Sequence, residues 1–127
     1  MQRRLLTAGT ALVLVGLLMG FDLTLFDDAA LALSAHVAAL QHGMLLMLLG
    51  LAWQHARLGR FAALCGWSSL VGLVGIWLSI LIDAMGGELD VLARFNGYLF
   101  LLAAWSVVLG FGLFLFGLLR GVGPGSQ

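Results

Sequence analysis

Apolar residues fill this chain in four long runs, and the polar and charged residues gather in the short stretches between them. A bilayer's hydrocarbon core is about 30 Å thick, which takes roughly 20 residues of helix at about 1.5 Å each. The runs from Leu5 to Phe26, Leu31 to Trp53, Phe61 to Met85 and Phe95 to Leu119 all reach that length. The pattern predicts an all-α integral membrane protein: a four-transmembrane-helix bundle in one domain over residues 1–120, with 121–127 as a short flexible tail. The connections are short, so successive helices run antiparallel. The first run exceeds the ~7–15 apolar residues of a signal-peptide core, and so reads as a retained span.

Charge decides the orientation. Arg3, Arg4, Arg57, Arg60 and Arg120 fall at the two ends and in the second connection, which share one side of a four-span bundle. Arginine enrichment marks the cytoplasmic side, so both termini are expected inside, in a bacterial-type inner membrane. Asp22, Asp27, Asp28, Asp83, Glu88 and Asp90 gather on the other side, with Arg94. Charged residues make up 9% of the chain and cancel to zero net charge, which gives no reason to expect a nucleic-acid partner. The single cysteine, Cys65, excludes an intrachain disulfide and a cysteine-based zinc site, and reads as a small buried residue. Gly16-x-x-x-Gly20 and Gly117-x-x-x-Gly121 are spacings at which helix backbones approach closely. Met44, Met47 and Met85 sit among leucines and read as core filler.

Ionisable groups inside a membrane are costly and face protein or water. His36 lies about 7–8 Å below the outer boundary and His42 close to mid-membrane, about 120° apart around the second helix. Gly43 and Gly50 follow His36 at intervals of seven, leaving a smooth strip that takes either a neighbouring helix or a flat group. Asp22, Ser79, Asp83, Asn96 and Tyr98 share the depth of His36. They form either a polar pocket opening outward or the ordinary polar margin of a bilayer. His42 has Gln41 beside it and Ser106 at similar depth, so an interhelical hydrogen bond is its expected role. Trp77 and Trp105 lie too deep for an interfacial belt and either line a pocket or pack the bundle.

Some of these residues carry a resemblance. Arg4-Leu-Leu-Thr-Ala-Gly9, Leu14-Val-Gly-Leu-Leu-Met-Gly20-Phe21, Leu33-Ser34-Ala35-His36 and Leu49-Gly50-Leu51-Ala52-Trp53 resemble the small membrane isomerase family of hydroxylaminobenzene mutase and styrene oxide isomerase. The likeness covers helices one and two well, helix three loosely and helix four by hydrophobicity alone. The family's Ala-His, five residues, Asn-Gly element reads here as Ala35-His36, five residues, His42-Gly43. Its Tyr-Ala-Asn-Trp on helix three reads Val74-Gly75-Ile76-Trp77. Two polar pocket groups are thereby changed.

The resemblance implies an oligomer holding haem b, whose ferric iron acts as a Lewis acid on an epoxide oxygen. Residue by residue, it makes His36 the expected axial ligand of the haem iron and Gly43 a position of close approach to the cofactor. His42 takes the asparagine's place in the substrate pocket; together with Asn96 and Tyr98, which their depth rather than the resemblance nominates, it makes up the candidate catalytic residues. The implied function is isomerisation of a small apolar, aromatic substrate entering from lipid. A homo-oligomer is expected, and glycine-bearing outer faces permit a trimer. A non-catalytic four-helix accessory protein and a proton-coupled transporter are the competing readings; the transporter rests on His42 and the outer carboxylates, and lacks a sequence repeat.

Overall fold

The computed structural model of the protein describes residues 1–86 and 90–121, without the side chains of Thr24, residues 90–93 and Gly121. The chain forms four α-helices: α1 (Gln2–Met19), α2 (Ala29–Ala52), α3 (Ala62–Ala84) and α4 (Asp90–Gly121). Short 3-10 turns at Leu23–Leu25, Trp53–His55 and Gly59–Phe61 connect them. All four are long and apolar enough to cross a membrane. Large apolar side chains are exposed along them, as on Leu18, Leu102 and Leu119. Water would penalise so broad an apolar surface, whereas lipid does not.

Two helix ends differ from the expected boundaries. The first span was expected to reach Phe26, but α1 stops at Met19 and Gly20 caps it with a backbone N–H to the carbonyls of the preceding turn. Leu23, Leu25 and Phe26 are apolar without being part of that helix, because hydropathy does not register where the backbone turns. Asp28 then starts α2, its Oδ1 accepting from the N–H groups of Ala30 at 2.9 Å and Leu31 at 3.0 Å. At the other end α4 begins at Asp90, a full turn before the expected Phe95. Beyond Gly121, the tail expected over 121–127 lies outside the described residues, as does Glu88.

The bundle is two antiparallel hairpins, α1–α2 and α3–α4, joined where α2 packs on α3. Each hairpin closes on a strip of small residues at helical spacing. On α1 the strip is Leu5, Gly9, Leu12 and Gly16, and on α2 it includes Ala32, Ala35, Ala39, Gly43, Leu46 and Gly50. A Cβ on Gly9 would sit 2.6 Å from the Gly43 carbonyl oxygen, so the two backbones touch there. The strip of Gly43 and Gly50 beneath His36 is therefore filled by α1: a Cβ at Gly43 would strike Val13, and one at Gly50 would reach Leu6. Of the two uses open for that strip, the helix takes it, and within the protomer Gly43 has no face left for a cofactor.

The α3–α4 seam repeats the device with Cys65, Ser69, Gly72 and Gly75 against Ala103, Val107 and Gly110. Cys65 is buried and its thiol donates to the Gly110 carbonyl at 3.3 Å. Gly117 receives Leu58 of the α2–α3 connection, whose neighbour Arg57 donates its backbone N–H to the Gly117 carbonyl at 3.0 Å. The second glycine motif thus seats a loop at Gly117. Met44 and Met85 are exposed on the outer surface, contrary to the expected core role, while Met47 packs at Gly9.

Candidate functional site

His36 is placed by the early end of α1. Its Nδ1 lies 2.7 Å from the carbonyl oxygen of Gly16, in the last turn of that helix. A carbonyl oxygen only accepts, so Nδ1 is the donor, and the neutral tautomer that this bond selects has its lone pair on Nε2. Room for the ring comes from Gly20, where a Cβ would stand 2.7 Å from His36 Cε1. The imidazole lines a cleft of about 650 Å³ whose other walls are Leu14, Leu17, Leu18, Gly20 and Phe21. An imidazole fixed by its Nδ1–H on a backbone carbonyl, with Nε2 unprotonated, is the arrangement that orients metal-ligating histidines. The donor set and the apolar walls fit an axially ligated haem.

The other candidates do not join this cleft. Asn96 is buried in a separate cleft between α3 and α4, about 390 Å³ in volume, lined by Ser79, Ile80, Asp83, Asn96, Gly97 and Phe100. Its Nδ2 donates to the Ser79 carbonyl at 3.0 Å and to Asp83 Oδ1 at 2.6 Å. Tyr98 is 69% exposed on α4 and lines neither cleft. The single outer pocket expected around His36, Asn96 and Tyr98 is therefore not seen among the described residues, which place His36 and Asn96 in separate clefts and Tyr98 in neither. The reason is azimuth: α1 and α2 enclose one cleft, α3 and α4 the other, and equal depth did not bring their faces together.

His42 is half-buried with its ring beside the Leu73 backbone of α3. Its Nδ1 is buried without a hydrogen-bond partner among the described residues. The interhelical contact expected of His42 is made to the Leu73 backbone rather than to Ser106, whose hydroxyl bonds back to the Leu102 carbonyl of its own helix at 2.8 Å. Buried polar atoms are rarely left unpaired, so His42 Nδ1 and the similarly orphaned Trp77 Nε1 are places where a ligand or water finds a partner. Trp105 is 71% exposed and lines no part of the sites described. Gln41, near the middle of α2, is exposed and lines a shallow cleft of about 400 Å³ with His42, Met44, Leu45 and Leu48.

Sequence reasoning missed the Gly16 carbonyl, Gly20 and the α1 leucines as parts of the His36 site. The Gly16-x-x-x-Gly20 spacing was the available signal, but it did not say which residue the glycines would admit. Among the described residues no group of three or more His, Cys, Asp or Glu is placed to hold a metal ion.

Residues 1–116 match the family described as styrene oxide isomerase. The chain is also 38% identical over 88 residues to hydroxylaminobenzene mutase HabB of Ectopseudomonas oleovorans, a stretch covering 68% of this chain and 54% of that protein. It thus spans about half the length of the curated relative it matches. No solved structure matches it. With nearly the whole of its four-helix region inside the family match, the chain belongs to the styrene oxide isomerase family.

Proposed function

We propose that this protein is a multi-pass inner-membrane isomerase that rearranges a small, oxygen-bearing aromatic substrate drawn from lipid, with haem b held by His36. The observation that carries the reading is the 2.7 Å contact of His36 Nδ1 with the Gly16 carbonyl. It spends the nitrogen that cannot ligate and keeps the one that can. When bound, the haem supplies a Lewis-acidic iron for a substrate oxygen. Leu14, Leu17, Leu18 and Phe21 exclude water from the same face and offer an apolar surface to a substrate partitioning sideways from the bilayer.

Both termini face the cytoplasm in this reading, supported by the five arginines at one end of the bundle and the aspartates at the other. The arginine end also carries interface chemistry: the Arg4 guanidinium lies 5.5 Å from the Trp67 ring centroid and that of Arg120 4.3 Å from Phe116. A homo-oligomer is part of the proposal. Gln41 is exposed near the middle of α2, where facing lipid leaves an amide without partners, and a neighbouring copy relieves that cost.

The test is expression with supplemented haem and purification in mild detergent. A Soret band at one haem per chain or per subunit contact, with turnover of an aryl epoxide or arylhydroxylamine, is the expected result. A colourless, inactive protein that is folded and inserted would replace this reading with a non-catalytic accessory role.

A further inference from the structure

The cleft at the acidic end of α3 and α4 has a chemistry that the proposed isomerisation does not use. Asn96 is 4% exposed, and its amide nitrogen spends both hydrogens, one on the Ser79 carbonyl and one on Asp83 Oδ1. Those two acceptors fix which way the amide points, because neither can receive a bond from Asn96 Oδ1. Oδ1 is left buried with no partner among the described residues. The Asp83 carboxylate adds a second acceptor and a negative charge, and it is exposed at the mouth of the cleft. Asp83 also stands in the last turn of α3, where the backbone dipole is already negative and no basic residue offsets it. Arg94 lies two residues before Asn96, about 200° around α4, so it sits on the far face of that helix.

What remains on offer in this cleft is a set of acceptors seeking donors. Its flank is apolar, with Ile80 and the half-exposed Phe100 ring, and Gly97 leaves open space where a Cβ would meet nothing within 4 Å. A bare metal ion needs more oxygen ligands than one carboxylate and one amide provide. A primary ammonium needs about three acceptors and tolerates an aromatic wall beside it. We infer that this cleft binds a primary ammonium group, carried either by an ethanolamine phospholipid headgroup or by a soluble amine. It is independent of the His36 cleft and of whether haem is bound.

The experiment uses the full chain in nanodiscs made from equal amounts of ethanolamine and choline phospholipids with identical acyl chains. Lipids retained after mild extraction are counted by native mass spectrometry. Choline has no N–H, so the wild type should hold the ethanolamine lipid in severalfold excess, and Asp83→Asn should bring the two to parity. That substitution keeps the acceptor for Asn96 and removes only the charge. A second arm titrates ethylammonium into choline-lipid nanodiscs and follows the Asp83 carboxyl resonance, with tetramethylammonium as control. Lipid enrichment lost in Asp83→Asn assigns the headgroup. No lipid enrichment with a saturable shift for ethylammonium alone assigns a soluble amine. No preference in either arm, or lipid enrichment unchanged in Asp83→Asn, overturns the inference.

Discussion

Two clefts stand toward the aspartate-bearing end of the bundle, and they spend their polar groups in opposite ways. In the α1–α2 cleft a single imidazole is tied back to one carbonyl, and everything else around it is leucine, glycine or phenylalanine. The tie is made by the nitrogen that carries a proton, so the reactive lone pair is preserved. In the α3–α4 cleft the Asn96 side chain is spent on joining helices, bonding two groups of α3 at once, and the leftover is an acceptor with no reaction of its own. One hairpin presents a lone imidazole; the other presents a clamp with a charge at its mouth. What the difference teaches is that depth in a membrane protein groups residues by layer, while the hairpin to which each belongs decides whether they work together.

The largest effect expected from breaking this contrast comes from His36. His36→Ala should abolish haem retention while insertion survives, since losing an imidazole makes α2 more apolar. His42→Asn, which places the family's residue at that position, should keep its haem. The haem-to-protein ratio and Soret spectrum of both variants in one detergent decide the matter, and loss in the His42 variant alone would transfer the ligand role to His42.

A subtler change leaves the histidine in place and removes its seat. Gly20→Ala puts a methyl 2.7 Å from His36 Cε1, so the ring must rotate off the Gly16 carbonyl. Haem affinity should fall by about tenfold, the lower range for losing an orienting partner of a metal-bound histidine. Unchanged affinity in a spectroscopic titration would mean that the Gly16 contact does not orient the ligand.

The seams should respond differently from the clefts. Gly43→Leu drives a side chain into Val13 and the Gly9 backbone, and overpacking of this kind costs about 1–3 kcal/mol. Denaturant unfolding in mixed micelles should register that loss, with α1 the first element to become protease-sensitive. The smallest effect belongs to Asn96→Leu, which removes two hydrogen bonds between α3 and α4 but also the orphaned oxygen. A net loss of roughly 1 kcal/mol is expected by the same unfolding assay. A larger loss than in Gly43→Leu would show that the clamp, rather than the small-residue packing, holds the bundle.

The amino-acid sequence by itself determined the number of helices, their rough span and the segregation of arginine from aspartate. These follow from hydropathy and charge summed along the chain, and lipid enforces them residue by residue. It also marked His36 as the ionisable group to explain, and small-residue strips as places of close approach. Tertiary structure alone decided that Gly43 and Gly50 meet α1, that Gly20 admits an imidazole, and that Asn96 and Tyr98 face away from His36. Azimuth advances about 100° per residue, so a helix end displaced by a few residues, as α1's is, redirects every face beyond the reach of a pattern argument. The partner that orients His36 is a backbone carbonyl, a group that every residue carries, and no letter in the sequence distinguishes the one at Gly16 until the helices are packed.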